Sequence, residues 1–134
     1  MTRTAFTIFG KPYAKKRPRF SRKTVRAYNP AENDQFEASL GAMAAIHFPQ
    51  PLTGPVSLEI IVTFALPQSW SAKKKAALAY RPHTQKPDCD NIAKAICDGL
   101  NRIAWADDRQ ICAVKISKAW GPNDQTTIFV EAEE

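Results

Sequence analysis

The sequence predicts an α+β fold: one domain, residues 1–134, in which a mixed β-sheet carries helices packed on one face. Three observations predict it. Short β-branched runs and longer stretches with helical spacing follow each other in the order β-α-β-α-α-β-β, a mixture rather than a strict repeat. With 134 residues and 44% hydrophobic content, the chain can build one core and is too short for two comfortable ones. There is no internal repeat and no low-complexity tract, so nothing indicates a solenoid or a disordered tail.

The elements follow in order. AFTIF, residues 5–9, has strand composition, and residues 31–47 read as a helix that stops before Pro49. VSLEIIVTFAL, residues 56–66, is the strongest strand, bounded by Gly54, Pro55 and Pro67. A short helix is expected over 70–80, with Ser71 as N-cap and Pro82 as its stop. Residues 92–103 read as a helix and 111–120 as a strand, and a last strand over 126–132 follows the turn GPND.

No run approaches the roughly 18 uncharged apolar residues of a membrane span, and the N-terminus lacks the apolar centre of a signal peptide. A cytoplasmic protein with no membrane partner is expected. Cys89, Cys97 and Cys112 are an odd number without a C-x-x-C pair, which predicts reduced thiols rather than a disulfide framework. The net charge of +6 belongs to one arm. Arg3, Lys11, Lys15, Lys16, Arg17, Arg19, Arg22, Lys23 and Arg26 precede the first acid, which leaves ten basic residues against thirteen acids in the rest of the chain. Residues 10–28 interleave these cations with Tyr13, Phe20 and Tyr28, and Pro12 and Pro18 argue against a continuous helix. Such a loop suits nucleic acid, with cations neutralising phosphates and aromatics stacking on unpaired bases.

The most informative stretch is KPDCDNIAKAICDGLNRIAWADDRQ, residues 86–110, which holds five of the thirteen acids. At roughly 100° per residue, Asp90, Asn91, Lys94, Asp98 and Asn101 share one helix face, and Ile92, Ala93, Ile96, Leu100 and Ile103 share the other. Ordinary structural roles exist for each polar residue. Asp88 can cap the helix, Asp90 can pair with Lys94 one turn on, and Asp98 can make a cap interaction, its functional alternative being to orient Lys94. After a short connection through Trp105, itself expected in the core, Asp107 or Asp108 can return towards Asp88 and Asp90. Carboxylates brought together in this way repel unless they take up protons or hold a divalent cation. Oxygen ligands select Mg²⁺, with Mn²⁺ as a substitute, and His47 and His83 have no zinc spacing. Strand parity with Gln110, Cys112, Val114 and Ile116 favours Asp108 over Asp107 as the acid turned to the helix.

These residues resemble the signature of RusA-like Holliday junction resolvases, K/R-x-D-x-D-N-x-x-K-x-x-x-D-A-L-N followed by W-x-D-D-x-Q; the segment GKPYAKKRPRF is similar to the basic arm of many relatives. The resemblance implies a homodimeric, Mg²⁺-dependent endonuclease that nicks four-way DNA junctions in pairs, in recombination and repair. It implies metal binding and catalysis by Asp88, Asp90 and Asp108, and Lys94 as the essential basic group. Phosphodiester hydrolysis needs an activated water and neutralisation of developing charge, both of which a carboxylate-held Mg²⁺ supplies. Gly99 stands where alanine is usual in the signature, and Arg102 where glycine often follows Asn. The alternatives are a metal-stabilised DNA-binding module without cleavage, a nuclease acting mainly on other branched DNA, and a nucleotide-sugar transferase, for which the chain is short and the basic arm has no use.

Overall fold

The computed structural model describes residues 2–23 and 26–133. The side chain of Arg26, one of the cations of the arm, lies outside the described residues. The elements are β1 (Thr2–Phe9), β2 (Arg19–Ser21), β3 (Arg26–Tyr28), α1 (Ala31–His47), β4 (Val56–Ala65), α2 (Ala72–Leu78), α3 (Cys89–Leu100), a 3-10 turn (Asp108–Gln110), β5 (Ile111–Gly121) and β6 (Gln125–Ala132). The expected order is present, with a small hairpin added: β2 pairs antiparallel with β3, Arg19 opposite Tyr28. The arm is thus a loop followed by a hairpin.

The main sheet runs β1-β6-β4-β5. β6 is antiparallel to both β1 and β4, while β4 and β5 are parallel, so the sheet is mixed. A parallel pair needs a crossover, and the chain from β4 to β5 supplies one through α2 and α3. Along β4 the period of two is clear. Val56, Leu58, Ile60 and Val62 are buried, while Ser57, Glu59, Ile61 and Thr63 on the opposite face are not. The buried row meets Leu40 and Ala44 of α1, Ile92, Ile96 and Leu100 of α3, and Ile128 and Val130 of β6 in one core.

The two long helices meet where side chains are smallest. A Cβ on Gly99 would lie 2.8 Å from Leu40 Cδ2, and one on Gly41 2.7 Å from Ile103 Cδ1, so alanine at either site would require a shift. The helix ends at Leu100 with Asn101 as its C-cap, and Arg102 turns the chain with φ 71°, a left-handed conformation that glycine adopts at lower cost. α3 starts three residues earlier than the sequence predicted, at Cys89, and ends at Leu100 instead of Ile103. Its buried face is Ile92, Ala95, Ile96, Gly99 and Leu100.

Candidate nucleic-acid interface and acidic site

Asp88 occupies the N-cap position of α3, yet its side chain makes no capping hydrogen bond. The segment leading to it is strapped from below by Lys118 of β5, whose Nζ donates to the carbonyls of Gln85 and Pro87, each at 2.7 Å. Sequence reasoning missed Lys118, because nothing local distinguishes it from any strand lysine. One residue on, Asp90 is exposed in the first turn and forms no ion pair with Lys94. Among the described residues, Asp88, Asp90 and Lys94 have no hydrogen-bonding or ion-pairing side-chain partner at all. The fold leaves the charges of all three unengaged.

Asp98 differs. Its carboxylate accepts Lys15 Nζ at 2.9 Å, and the same ammonium lies 3.3 Å from Glu37 of α1. The expected link from Asp98 to Lys94 is therefore replaced by one to the arm. Burial alone would lower the Lys15 pKa, but the hydrogen bond and charge of Asp98, with Glu37 behind, raise it above the usual lysine range. Lys15 rivets α1 to α3, while Lys11, Lys16, Arg17, Arg19, Arg22 and Lys23 are exposed.

The arm is held by a residue the sequence did not single out. Asn33 is fully buried, and its amide oxygen accepts the Lys16 N–H (2.9 Å) and the Tyr13 hydroxyl (2.5 Å). Its amide nitrogen donates to the Lys16 carbonyl (2.9 Å) and to Asn29 Oδ1 (2.8 Å). Every hydrogen-bonding site of that amide is used. The Lys15 N–H donates to the Asn91 carbonyl at 2.9 Å, which lays the arm across the first turn of α3. Tyr13 stacks on Phe36 with ring centroids 4.6 Å apart, so it belongs to this anchor and is not free to stack on a base. Phe20 and Tyr28 remain 62% and 47% exposed, which leaves their rings available.

The acids at 107 and 108 sit in the 3-10 turn, where strand parity does not apply. Asp107 caps that turn, accepting the Arg109 N–H at 2.9 Å, and Gln110 Oε1 accepts the N–H groups of Ala106 and Asp107. Gln110 Nε2 then donates to the carbonyls of Leu52 and Gly54, so the glutamine of the motif is a brace for the turn. Asp108 instead accepts Nε1 of the fully buried Trp105 at 2.8 Å. It lies near enough to α3 to act on Cys97, whose thiol is pushed up to about 11 by burial, then by the charges of Asp108 and Asp98. Cys97 is seven residues beyond Asp90, about 10 Å of helix rise, so this interaction places Asp108 by the second half of α3 and gives no contact with Asp90. Both acids are exposed, and it is the bond from the Trp105 indole, not strand alternation, that orients Asp108.

Among the described residues, no three His, Cys, Asp or Glu side chains stand together as a metal-holding group. The donor chemistry nonetheless fits a hard cation: Asp88 and Asp90 have all their carboxylate oxygens unengaged, and Asp108 is oriented through one oxygen by the indole. An open cleft of about 720 Å³ joins the arm to this entrance, lined by Lys15, Lys16, Arg17, Lys86, Asp88 and Asn91. A second, of about 270 Å³, continues past Lys94 and Asp98 along the same arm residues. The groove is cationic along one wall and acidic at its end.

A family model described as endodeoxyribonuclease RusA matches residues 10–131. The chain belongs to the RusA endodeoxyribonuclease family. It is also 33% identical over 132 residues, covering 93% of each chain, to a Bacillus subtilis (strain 168) protein named uncharacterized protein YqaN. Membership in the RusA family implies nuclease activity, and the matched span takes in both the anchored arm and the acidic segment. No helix of the described residues is long and apolar enough to cross a membrane.

Proposed function

We propose that the chain is a structure-specific DNA endonuclease of a single domain, cytoplasmic, that resolves four-way junctions by paired phosphodiester hydrolysis in recombination and repair. The observation that carries the reading is the continuous groove in which a clamped cationic arm runs to the unengaged carboxylate of Asp88. In this reading Asp88, Asp90 and Asp108 hold Mg²⁺, or Mn²⁺ in its place; the bound ion supplies an activated water and neutralises charge on the phosphate. Lys94, on the same helix face as Asp90, meets a non-bridging phosphate oxygen. Lys11, Lys16, Arg17, Arg19, Arg22, Lys23 and Arg26 neutralise the flanking phosphates, and Lys15 keeps the arm in register through Asp98 and Glu37.

A junction offers two strands of like polarity, and one chain carries one acidic site, so paired cutting requires a twofold homodimer. Incubation of a labelled four-way junction, a replication fork and plain duplex, with Mg²⁺ or with EDTA, tests the reading. Symmetrically nicked junction in Mg²⁺ alone is expected. Tight junction binding with no nicking in Mg²⁺ or Mn²⁺ would overturn it in favour of a binding module, and preferred cutting of the fork would reassign the substrate.

A further inference from the structure

A second cleft, of about 690 Å³, opens on the other side of the Lys86–Pro87 wall. It shares Pro12, Lys86 and Pro87 with the groove that holds Asp88, so the two are neighbours across one stretch of backbone. Its lining includes three flat rings. His83 stacks on Phe64 with centroids 3.8 Å apart and planes 15° from parallel, and Trp120 lies 4.4 Å from the His83 ring. His83 is only 5% exposed, and its Nδ1 is buried without a hydrogen-bond partner. Buried polar atoms are rarely left so.

At the rim, Lys11 and Lys86 are exposed cations without a carboxylate partner among the described residues. The carboxylate in the lining, Asp124, accepts the Ala65 N–H at 2.8 Å. His83 and Trp120 are buried, so the ring the cleft offers is the partly exposed Phe64, and an aromatic surface under a cationic rim is the chemistry of one nucleotide: the ring suits a base, the ammonium groups its flanking phosphates.

Resting on the nuclease reading, we infer that this cleft receives a single nucleobase unstacked from the DNA strand beside the phosphate that is cut. An enzyme that works at a branch point meets bases whose stacking is already interrupted, so extrusion costs least there. Burial, then the nearby charge of Lys118, holds the His83 pKa below its usual value, and Nδ1 is the unpartnered nitrogen that an entering base would engage. His83 is thereby a candidate for setting which base precedes or follows the cut.

The test scans single abasic sites through the strand on either side of the nicked phosphate in a four-way junction. Binding is measured in EDTA, so cleavage is not the readout. One abasic position should weaken wild-type binding about tenfold, within the range for loss of one stacked base. His83→Ala should bind the intact junction more weakly and lose the sensitivity to that position. His83→Phe, which keeps the ring and removes its nitrogens, should keep the abasic penalty but flatten the preference among the four bases there. A wild-type scan in which no position costs more than twofold overturns the inference, whether or not the variants fold. Nicking of the intact junction in Mg²⁺, run in parallel, reports separately on the nuclease reading.

Discussion

Asn33 holds the arm, and removing its side chain measures how much. In Asn33→Ala, the Lys16 N–H and C=O, the Tyr13 hydroxyl and the Asn29 side chain each lose a partner. At about 1 kcal/mol net per hydrogen bond the four total about 4 kcal/mol. The arm can swing into water and re-solvate the Lys16 groups, which limits the loss to about 2–4 kcal/mol. For a chain of this size about 1 kcal/mol lowers Tm by about 3–5 °C, so a drop of about 10 °C is expected in a thermal melt. Trypsin, which cuts after lysine and arginine except before proline, should cleave after Lys15, Lys16 and Arg19 well before the rest of the fold opens, because local release precedes global unfolding. Asn33→Asp keeps the shape but turns two donors into acceptors facing the Lys16 carbonyl and Asn29 Oδ1, and should be no milder. A melt within about 2 °C of wild type, with an unchanged tryptic pattern, would refute the role given to Asn33.

The remaining predictions concern the acids, the arm and a thiol. Asp90→Asn should abolish nicking and leave junction binding equal or tighter, since a carboxylate near phosphate is removed; wild-type rates in that variant would sink the metal-site assignment. Asp108→Asn should cost far more activity than Asp107→Asn, because asparagine can still cap the 3-10 turn, and equal losses would count against the Trp105 clamp. Lys16, Arg17 and Arg19 changed together to alanine should lower the slope of log K against log salt by nearly three, at about 0.9 per phosphate contact, in a binding titration. Cys97 keeps its proton in the fold to about pH 11, against 9.0 as its ordinary value, so the unfolded chain ionises first. The stability it contributes is complete below pH 9 and falls as pH rises towards 11, and Cys97→Ala should show a shallower fall over that range. Iodoacetamide at pH 9 should label the exposed Cys112 well before Cys97; equal rates would contradict the burial.

Much of the architecture was legible because it is written in local pattern. Alternation along residues 56–65 and helical spacing along 31–47 place those elements to within a residue, and Ser71 caps α2 as expected, accepting the Lys74 N–H. α3 was misjudged at both ends. Cys89, Asp90 and Asn91 extend the helix one turn towards its N-terminus, and the left-handed Arg102 stops it before Ile103, a turn that an arginine does not advertise. The β2–β3 hairpin was missed since its strands are three residues each, among charges that mask alternation. The anchors of the site were the least visible. Asn33, Lys118 and Lys15 act on residues far along the chain, and local spacing carries no trace of such contacts. Parity singled out Asp108, yet the bulge at the start of β5 and the turn before it mean that strand alternation does not govern either acid.

The Asn33 side chain touches both Lys16 and Asn29, so residues 16–29 leave the body and return to it at one point. Topologically the arm is a closed loop, not a tail. A tail explores a volume set by its contour length, whereas a ring pinned at its base can tilt and flex but never carries its cations far from the groove. Arg17 therefore stays in the groove beside Asp88, with Arg19, Arg22 and Lys23 tethered close behind it, and less freedom remains to be lost when a phosphate backbone arrives. Opening that ring, by a cut between Arg22 and Arg26 that leaves every charge in the protein, would convert one multidentate grip into two independent weak ones.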